Sequence, residues 1–362
     1  MTTSREEEAP SRAELQRALR FSGFAYNTSS DGTEHVGITP FWWSTHKAAI
    51  HEAAKADAPG DEPGLPDGPV AKILRDAMRD GIGLNHSDPS VGWAKLIAQS
   101  YPNADFLQKL TNTADGDVDI WQLPDEKLVV VAWRGSQSLR DWRMDLWFSK
   151  HEWYPCKPFD ASFGRAFSIG CLSWKGKLMV HRGFLQQYLA DDLHVQVNKK
   201  VDELLGAPEC EGYGVVVAGH SLGGALAHLC AYELATLHPE TPVDLITFGS
   251  PRVGNPTFAR AINDLPNLRA FRVQNEMDIV TRAPLLNYRH AGHHIWMQKG
   301  TIRGPSHRAP FWAKFPDIIF WKLIPHGMDH LVNGEGGYGD HLNHFKMVGK
   351  MAQRDAEKTY EV

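Results

Sequence analysis

The chain has 362 residues, of which 42% are hydrophobic and 22% are charged, and its formal net charge is −5. This length suits one large α/β domain or two small ones, and the composition is typical of a globular protein. A negative net charge without a basic block argues against nucleic acid as a partner. No apolar run approaches the ~18 residues that indicate a transmembrane helix.

The N-terminal residues 1–8 are acidic and polar, and they lack the basic-then-apolar order of a signal peptide. We therefore expect a cytoplasmic protein or export by a non-classical route, unless a signal has been removed. The four cysteines have no Cys-x-x-Cys spacing, and we predict neither a metal site nor a cofactor. Buried free thiols are favoured over a disulfide between Cys156 and Cys171.

The first third of the chain predicts helices and no chemistry. Residues 1–15 are expected to be disordered, and 16–117 to form an N-terminal helical layer against a sheet. Helical periodicity is seen over 11–26, 70–78 and 91–101.

The strand pattern begins at 118–121 and continues through 128–133, which is nearly all apolar and therefore suits a strand buried on both faces. That strand is followed by Arg134, Gly135 and Ser136. In open α/β sheets, ligands bind at the carboxyl edge, so Ser136 is a candidate oxyanion-hole residue through its N–H and hydroxyl. An ordinary strand-to-loop turn explains the same residues equally well.

Residues 138–148 predict a short helix with apolar side chains on two sides. Trp142 and Leu146 share one face, whereas Met144 and Phe148 lie on the other. Such an element can alternate between two apolar partners, as a lid does when it covers a site in water and turns onto lipid. We expect Trp142 and Leu146 to contact substrate as part of a lid; the alternative is a short buried helix.

In the middle of the chain, an apolar run stops at Gly-His-Ser-Leu-Gly over 219–223 and continues into a mostly apolar helix. This is the layout of a nucleophile elbow, with Ser221 at the apex of a sharp strand-to-helix turn. Gly-x-Ser-x-Gly alone is a weak signal, and the buried strand and helix on its two sides strengthen it. The alternative is a strand–turn–helix connection that contains an incidental serine.

A serine hydroxyl needs a base within hydrogen-bond reach and an acid that orients the base. Further strands at 243–248 and 268–273, alternating with helices, predict a mostly parallel sheet with helices on both faces. Because the order in this architecture is serine, acid, histidine, Asp278 is the candidate acid, with Glu276 as a nearby competitor. By position, four histidines near the C-terminus qualify as the base: His326, His330, His341 and His344.

Several stretches together resemble the class 3, fungal-type lipases of the α/β-hydrolase superfamily. They occur in the family's order and span roughly 118–350: 131–136, 141–142, 145–146, 180–184, 219–224, 248–255, 278–280 and 340–345. The resemblance implies a single α/β-hydrolase domain over 1–362 with a catalytic core at 118–350 and a lid at about 137–153.

The resemblance also implies the roles of individual residues. Ser221 corresponds to the nucleophile, Asp278 to the orienting acid and His341 to the base, while Ser136 and the backbone N–H of Leu222 correspond to the oxyanion hole. Both histidines follow an aspartate, and His341 is preferred to His330 because an aromatic residue follows shortly after it, whereas His330 leads into a glycine-rich stretch. The apolar segment 305–328 departs from the compact family pattern, and it suits an acyl-chain wall, an interfacial anchor or a helix packed on the core.

The implied function is hydrolysis of lipid esters by a triacylglycerol lipase, through an acyl-enzyme and without a cofactor. A lipid ester is then the substrate, with transient contact at a lipid interface. Two further enzymes on the same scaffold remain open, a phospholipase A1 and a feruloyl-type esterase. A catalytically inactive α/β-hydrolase that binds lipid is the alternative outside the enzymes.

Overall fold

The computed structural model describes most of the chain between residues 9 and 306. The described ranges are 9–27, 38–56, 89–135, 150–153, 176–275, 278, 280–284, 287–298 and 301–306. Several predicted features fall outside these ranges: the helix at 70–78, Cys156 and Cys171, Ser136, most of the lid with Trp142 and Leu146, Glu276, nearly all of the segment 305–328, and the histidines from His326 to His344.

An eight-stranded sheet forms the centre of the molecule, in the order β1-β2-β3-β6-β7-β8-β9-β10. The strands from β3 to β9 in this order are parallel, whereas β1, β2 and β10 are antiparallel to their neighbours. A separate two-stranded sheet consists of β4 and β5. The strands are β1 Asp105–Thr111, β2 Asp117–Leu123, β3 Leu128–Trp133, β4 Lys150–Glu152, β5 Met179–His181, β6 Gly214–His220, β7 Val243–Phe248, β8 Leu268–Asn275, β9 His293–Gln298 and β10 Thr301–Ser306.

Helices cover both faces of the sheet, which confirms the predicted α/β class. One face carries the N-terminal layer, formed by α1 to α3, and the other carries the remaining helices of the described chain around α6. The helices are α1 Arg12–Phe24, α2 Pro40–Ala56, α3 Pro89–Ser100, α4 Arg182–Leu189, α5 Leu193–Leu205, α6 Leu222–Leu237 and α7 Pro256–Asn263.

The N-terminal layer differs from its prediction at two places. Its first helix begins at Arg12, as the periodicity over 11–26 indicates, so residues 12–15 are helical and not disordered. Ser11 and Glu14 form a capping box, in which each side chain satisfies the other's backbone N–H group. The range 16–117 also contains β1, a strand of the central sheet that was not predicted. A bulge between Phe106 and Gln108 breaks the alternation of buried and exposed side chains by which a strand is recognised.

Residues 182–205 form two helices rather than one. Asp191 and Asp192 have φ angles of +52° and +55°, which interrupt the helix between α4 and α5. The Asp191 carboxylate accepts hydrogen bonds from the N–H and the hydroxyl of Thr113, at 2.6 and 2.7 Å. This contact with the β1–β2 turn holds the break in place, and it involves residues too far apart in sequence to be anticipated.

A set of aromatic rings joins the N-terminal layer to the sheet. Phe24 packs edge-on against Trp43, Phe106 and Trp121, with ring centroids 5.3 to 6.3 Å apart. At the other end of α1, the Arg269 guanidinium binds Asp244 and also donates to Glu14 at 2.7 Å. The first helix is therefore fixed to the sheet at both ends.

Candidate active site

The chain turns sharply between β6 and α6, and Ser221 occupies that turn. Every residue of β6 is buried, and β6 lies in the middle of the sheet. The turn that follows it therefore lies at the centre of the carboxyl edge. Ser221 has φ +58° and ψ −126°, a backbone conformation that is strained for a residue with a side chain. Its N–H donates to the carbonyl of Phe248 at 2.9 Å, which ties the turn to the end of β7.

Two glycines allow this turn to pack closely. A Cβ on Gly219 would lie 2.5 Å from the carbonyl carbon of Gly223 and 2.8 Å from the nitrogen of Gly224. A Cβ on Gly223 would collide with the carbonyl oxygen of Trp133 at the end of β3. The absence of side chains here lets α6 start directly beside two strand ends.

The backbone beside Ser221 can provide oxyanion donors. Leu222 is the first residue of α6, where N–H groups have no partner within the helix. The end of β3 lies alongside, since a Cβ on Gly135 would be 2.7 Å from the carbonyl oxygen of His220. Ser136, the other predicted donor, directly follows Gly135 and lies outside the described residues.

Asp278 follows β8 and is fully buried. Its Oδ1 accepts a hydrogen bond from the N–H of Val280 at 2.9 Å, and its carbonyl accepts one from the Thr281 hydroxyl at 2.8 Å. The ends of β6 and β8 are separated by β7 alone, so they lie about 10 Å apart. That spacing leaves room for an imidazole between the serine and the carboxylate.

Ser221 itself is 1% exposed, and its Oγ has no hydrogen-bond partner within the described part of the chain. A buried hydroxyl without a partner is costly in a structural position. The structure thus brings two of the three predicted triad residues to one edge of the sheet, while His341, the predicted base, lies beyond the described residues.

A group of basic side chains, which the sequence reasoning missed, surrounds the loop after Asp278. Arg252 donates to the carbonyl oxygens of Arg282 and Pro284, at 2.7 and 3.1 Å. The Nε2–H of His290 donates to the carbonyl of Thr281 at 2.8 Å. Both contacts hold the backbone of the loop that carries the acid.

Burial makes the histidines near this loop weak bases. Burial, and then the charges of Arg272 and Arg252, lower the pKa of His290 well below its ordinary value. Burial and Arg272 lower the pKa of His294 to about 3, and burial lowers the pKa of Arg272 to about 9. At neutral pH these histidines are uncharged, so they act as hydrogen-bonding groups rather than as charges.

Other classes of site find little support in the residues that the structure describes. Within those ranges, no three His, Cys, Asp or Glu side chains are grouped so that they could hold a metal ion. Cys210 and Cys230 are free and buried. In the same part of the chain, no helix has the length and hydropathy needed to cross a membrane.

The sheet is mostly parallel, its central strand β6 leads into the strained Ser221, and the buried Asp278 follows β8. This arrangement defines an α/β-hydrolase. Residues 130–288 match the family model described as "Lipase (class 3)". This match agrees with the resemblance to class 3 lipases seen in the sequence.

Curated relatives include two rice proteins. The chain is 33% identical over 224 residues to "Phospholipase A1-II 1" of Oryza sativa subsp. indica, covering 58% of this chain and 52% of that protein. It is 30% identical over 198 residues to "Phospholipase A1-II 4" of Oryza sativa subsp. japonica, covering 50% and 46%. The chain therefore spans about half the length of these relatives.

Solved structures agree with the fold. "Lipase II from Rhizopus niveus" is 25% identical with a TM-score of 0.52, and the match covers 68% of this chain and 83% of that chain. A lipase from Rhizopus microsporus var. chinensis is 19% identical with a TM-score of 0.54, covering 95% and 93%. The second likeness shows the fold alone.

Proposed function

We propose that the protein hydrolyses carboxylic esters of lipids through a Ser–His–Asp triad. The observation that carries this proposal is Ser221, a buried and strained serine at the centre of the carboxyl edge, with the buried carboxylate of Asp278 at the same edge. The class 3 lipase match over 130–288 supports it, because that stretch contains both residues.

The reaction follows from the chemistry of these groups. His341, oriented by Asp278, takes the proton of Ser221 as the serine oxygen attacks the ester carbonyl. Ser136 and the N–H of Leu222 stabilise the oxyanion, where preorganised donors have their largest effect. His341 then protonates the leaving alcohol, and water releases the acid from the acyl-enzyme.

Triacylglycerol is the proposed substrate, and phospholipid is the second candidate. The structure from Rhizopus niveus, at 25% identity, is named as a lipase, which favours triacylglycerol. The curated relatives of about 30% identity are named phospholipase A1, which favours the ester of a phospholipid. Initial rates on tributyrin, triolein and phosphatidylcholine, with the released acid identified by position, distinguish the two.

The segment 137–153 is proposed to be a lid over the site, with Trp142 and Leu146 on the face that meets lipid. A lid predicts that the rate rises when a short-chain triglyceride passes its solubility limit and forms droplets. A rate that saturates smoothly through that limit contradicts the lid and leaves the triad proposal intact.

The central test replaces Ser221 with alanine. We expect Ser221→Ala to abolish hydrolysis of p-nitrophenyl esters and labelling by a fluorophosphonate, while the folded state is retained. Ser22→Ala is the matched control, because Ser22 is also fully buried and its hydroxyl has no partner in the described chain. Ser22→Ala should keep full activity, and an active Ser221→Ala protein would contradict the proposal.

The base is tested by comparing two histidines. His341→Ala should lower kcat by several orders of magnitude, as loss of a triad member does. His330→Ala should leave at least most of the activity. If His330→Ala alone removes turnover, then His330 is the base and the serine mechanism stands with a different proton acceptor.

A further inference from the structure

The N-terminal layer reaches the catalytic edge at one side chain, Tyr26. It lies in the 3-10 turn Ala25–Asn27 that directly continues α1. The Tyr26 hydroxyl is 2.9 Å from Nδ1 of His220, and the two ring centroids are 6.1 Å apart. His220 is the residue before Ser221, so the hydroxyl touches the elbow itself.

The same hydroxyl lies against the end of β3. A Cβ placed on Gly135 would collide with the Tyr26 hydroxyl, would be 3.1 Å from Cζ of that ring, and would be 2.7 Å from the carbonyl oxygen of His220. Tyr26 therefore occupies the space beside the Gly135 Cα that a side chain would otherwise take. One phenol thus lies against the backbone at Gly135 and contacts the side chain of His220, and these two residues lead into the proposed oxyanion hole.

These two segments are not held together by the sheet. The parallel pairing of β3 with β6 ends at Trp133 and Gly219. The next residue, Arg134, is tied to β2 instead, since its N–H donates to the carbonyl of Asp117 at 2.9 Å. Beyond that point, the distance between Gly135 and His220 has no strand ladder to set it.

Tyr26 is itself well anchored. Ala25, just before it, is fully buried. The buried ammonium of Lys109 donates to the carbonyl of Ala25 at 3.4 Å and pairs with Asp119 at 3.2 Å. The phenol thus projects from a rigid turn, as a group that fixes a distance must do.

We propose that Tyr26 is a positioning residue of the oxyanion hole, which sets the spacing between the end of β3 and the elbow. The inference rests on the proposed function, because its two donors are Ser136, next to Gly135, and Leu222, two residues after His220. Tyr26 lies outside residues 130–288, which match the lipase family, so the N-terminal layer takes part in the site.

The physical reason is the narrow geometry of oxyanion stabilisation. Donors act when they lie about 2.7–3.1 Å from the developing negative charge. Misplacement by about 1 Å can lower the rate by as much as ~100-fold, even when the substrate is still bound. Loss of the Tyr26 hydroxyl should consequently appear in kcat and not in KM.

The test compares Tyr26→Phe with Tyr101→Phe on p-nitrophenyl butyrate. Tyr26→Phe should lower kcat by about tenfold and leave KM within about twofold. Inactivation by a phosphonate should slow by the same factor, because the phosphonate adduct places its oxygen in the same oxyanion hole. Tyr101 belongs to the same layer and packs against Phe21 with centroids 5.5 Å apart, so Tyr101→Phe controls for loss of a phenol there. Active-site titration and Tm exclude a smaller folded fraction.

A double-variant cycle tests the contact directly. Gly135→Ala should impair turnover because the added methyl meets Tyr26 and His220, and Tyr26→Ala should offset part of that loss by removing one of the two obstacles. The combined loss is then smaller than the product of the single losses, as for residues in contact. Independent effects of the two changes contradict the proposal.

The outcomes separate this inference from the proposed function. If the unaltered protein neither hydrolyses esters nor reacts with a fluorophosphonate, the proposed function is wrong. If the unaltered protein is active and Tyr26→Phe has the same kcat and the same inactivation rate, the function stands and Tyr26 has no positioning role. A lower Tm with unchanged kcat per titrated site likewise assigns Tyr26 to stability alone.

Discussion

The two faces of the sheet are built on opposite principles. On the face covered by α6, backbone approaches backbone, and Gly219, Gly223 and Gly224 leave no space for a further atom. On the face covered by the N-terminal layer, large rings fill the space, among them Phe24, Trp43 and Trp121. The first face shapes the site by excluding atoms, and the second supports it by filling volume.

This difference predicts how substitutions behave. A change on the α6 face displaces backbone that leads straight to Ser221, so it should cost activity together with stability. A change on the layer face leaves a cavity at a distance from the reacting groups, so it should cost stability alone. Tyr26 is the proposed exception, because it belongs to the layer and touches the elbow.

The largest effect is expected for Gly223→Ala. The new methyl would collide with the carbonyl oxygen of Trp133 and lie 2.7 Å from the carbonyl carbon of Arg134, and backbone atoms cannot turn aside as a side chain can. We expect the free energy of unfolding to fall by at least about 4 kcal/mol, and kcat per folded molecule to fall by about 100-fold. Urea denaturation and active-site titration measure the two effects separately.

Gly206→Ala is the matched control for that change. Gly206 caps the C-terminus of α5 with φ −81°. A Cβ added there would lie 3.1 Å from the carbonyl oxygen of Asp202, its nearest neighbour. Its cost should stay within about 1 kcal/mol, with unchanged kcat. If Gly223→Ala loses stability and keeps its kcat, the α6 face does not shape the site as described.

Phe24→Ala should cost about 3–5 kcal/mol, the usual range for removing a buried phenylalanine side chain. The ring is fully buried and contacts three other aromatic rings, and the neighbouring strands cannot close the gap. Because the cavity lies within the layer, kcat per titrated site should remain within about twofold of the unaltered protein. Thermal unfolding and ester hydrolysis on the same samples give both values.

Phe41→Ala separates burial from residue type. Phe41 lies in the first turn of α2 in the same layer and is 72% exposed, so its removal should change stability by no more than about 0.5 kcal/mol. Equal losses at Phe24 and Phe41 would contradict the view that the layer acts by filling volume. A large fall in kcat at Phe24 would show that the whole layer, and not Tyr26 alone, positions the site.

The same contrast explains what the sequence could predict. Strand β3 was predicted with its observed bounds, because 128–133 is apolar on both faces. The turn with Ser221 was found for a similar reason, since glycines occur where its backbone packs closely and all of them lie within one short stretch. Such features are local, and local features can be recognised in a single sequence.

The features that were missed depend on distant partners. Phe24 falls opposite the apolar stripe of α1, and it is buried because Trp43, Phe106 and Trp121 pack against it. Tyr26 meets His220 across 194 positions of the chain. His290 donates to the backbone of Thr281. The two residues are connected by a loop, and the conformation of a loop leaves no periodic pattern in the sequence.

The smallest of the expected effects concerns the buried basic groups of the α6 face. His228 lies in α6, and its Nδ1–H donates to the carbonyl of Gly224 at 2.7 Å. Burial, with a further contribution from Arg272, lowers the pKa of His228 to about 4, and burial and Arg272 lower that of His294 to about 3. The folded protein thus keeps both imidazoles neutral at a pH where the unfolded chain protonates them.

The sign of the pH effect follows from this difference. Above an unfolded pKa of about 6.5 neither state holds the proton, so stability does not depend on these groups. As the pH falls below about 6.5, the unfolded state binds protons that the folded state refuses, and stability decreases by up to about 1.4 kcal/mol per pH unit for each histidine. The decrease levels off once the pH passes the folded values near 4 and 3.

Replacing His228 by Gln should therefore flatten the pH dependence of stability between pH 6.5 and 4. The absolute stability of His228→Gln is expected to be lower because the hydrogen bond to Gly224 changes, so the slope is the quantity to compare. Urea denaturation at half-unit pH intervals measures it, and the slope should persist in 0.5 M salt (about three times physiological ionic strength) because burial is its main cause. Identical slopes in both proteins would mean that His228 accepts a proton without unfolding, and that the face behind Ser221 is open to water.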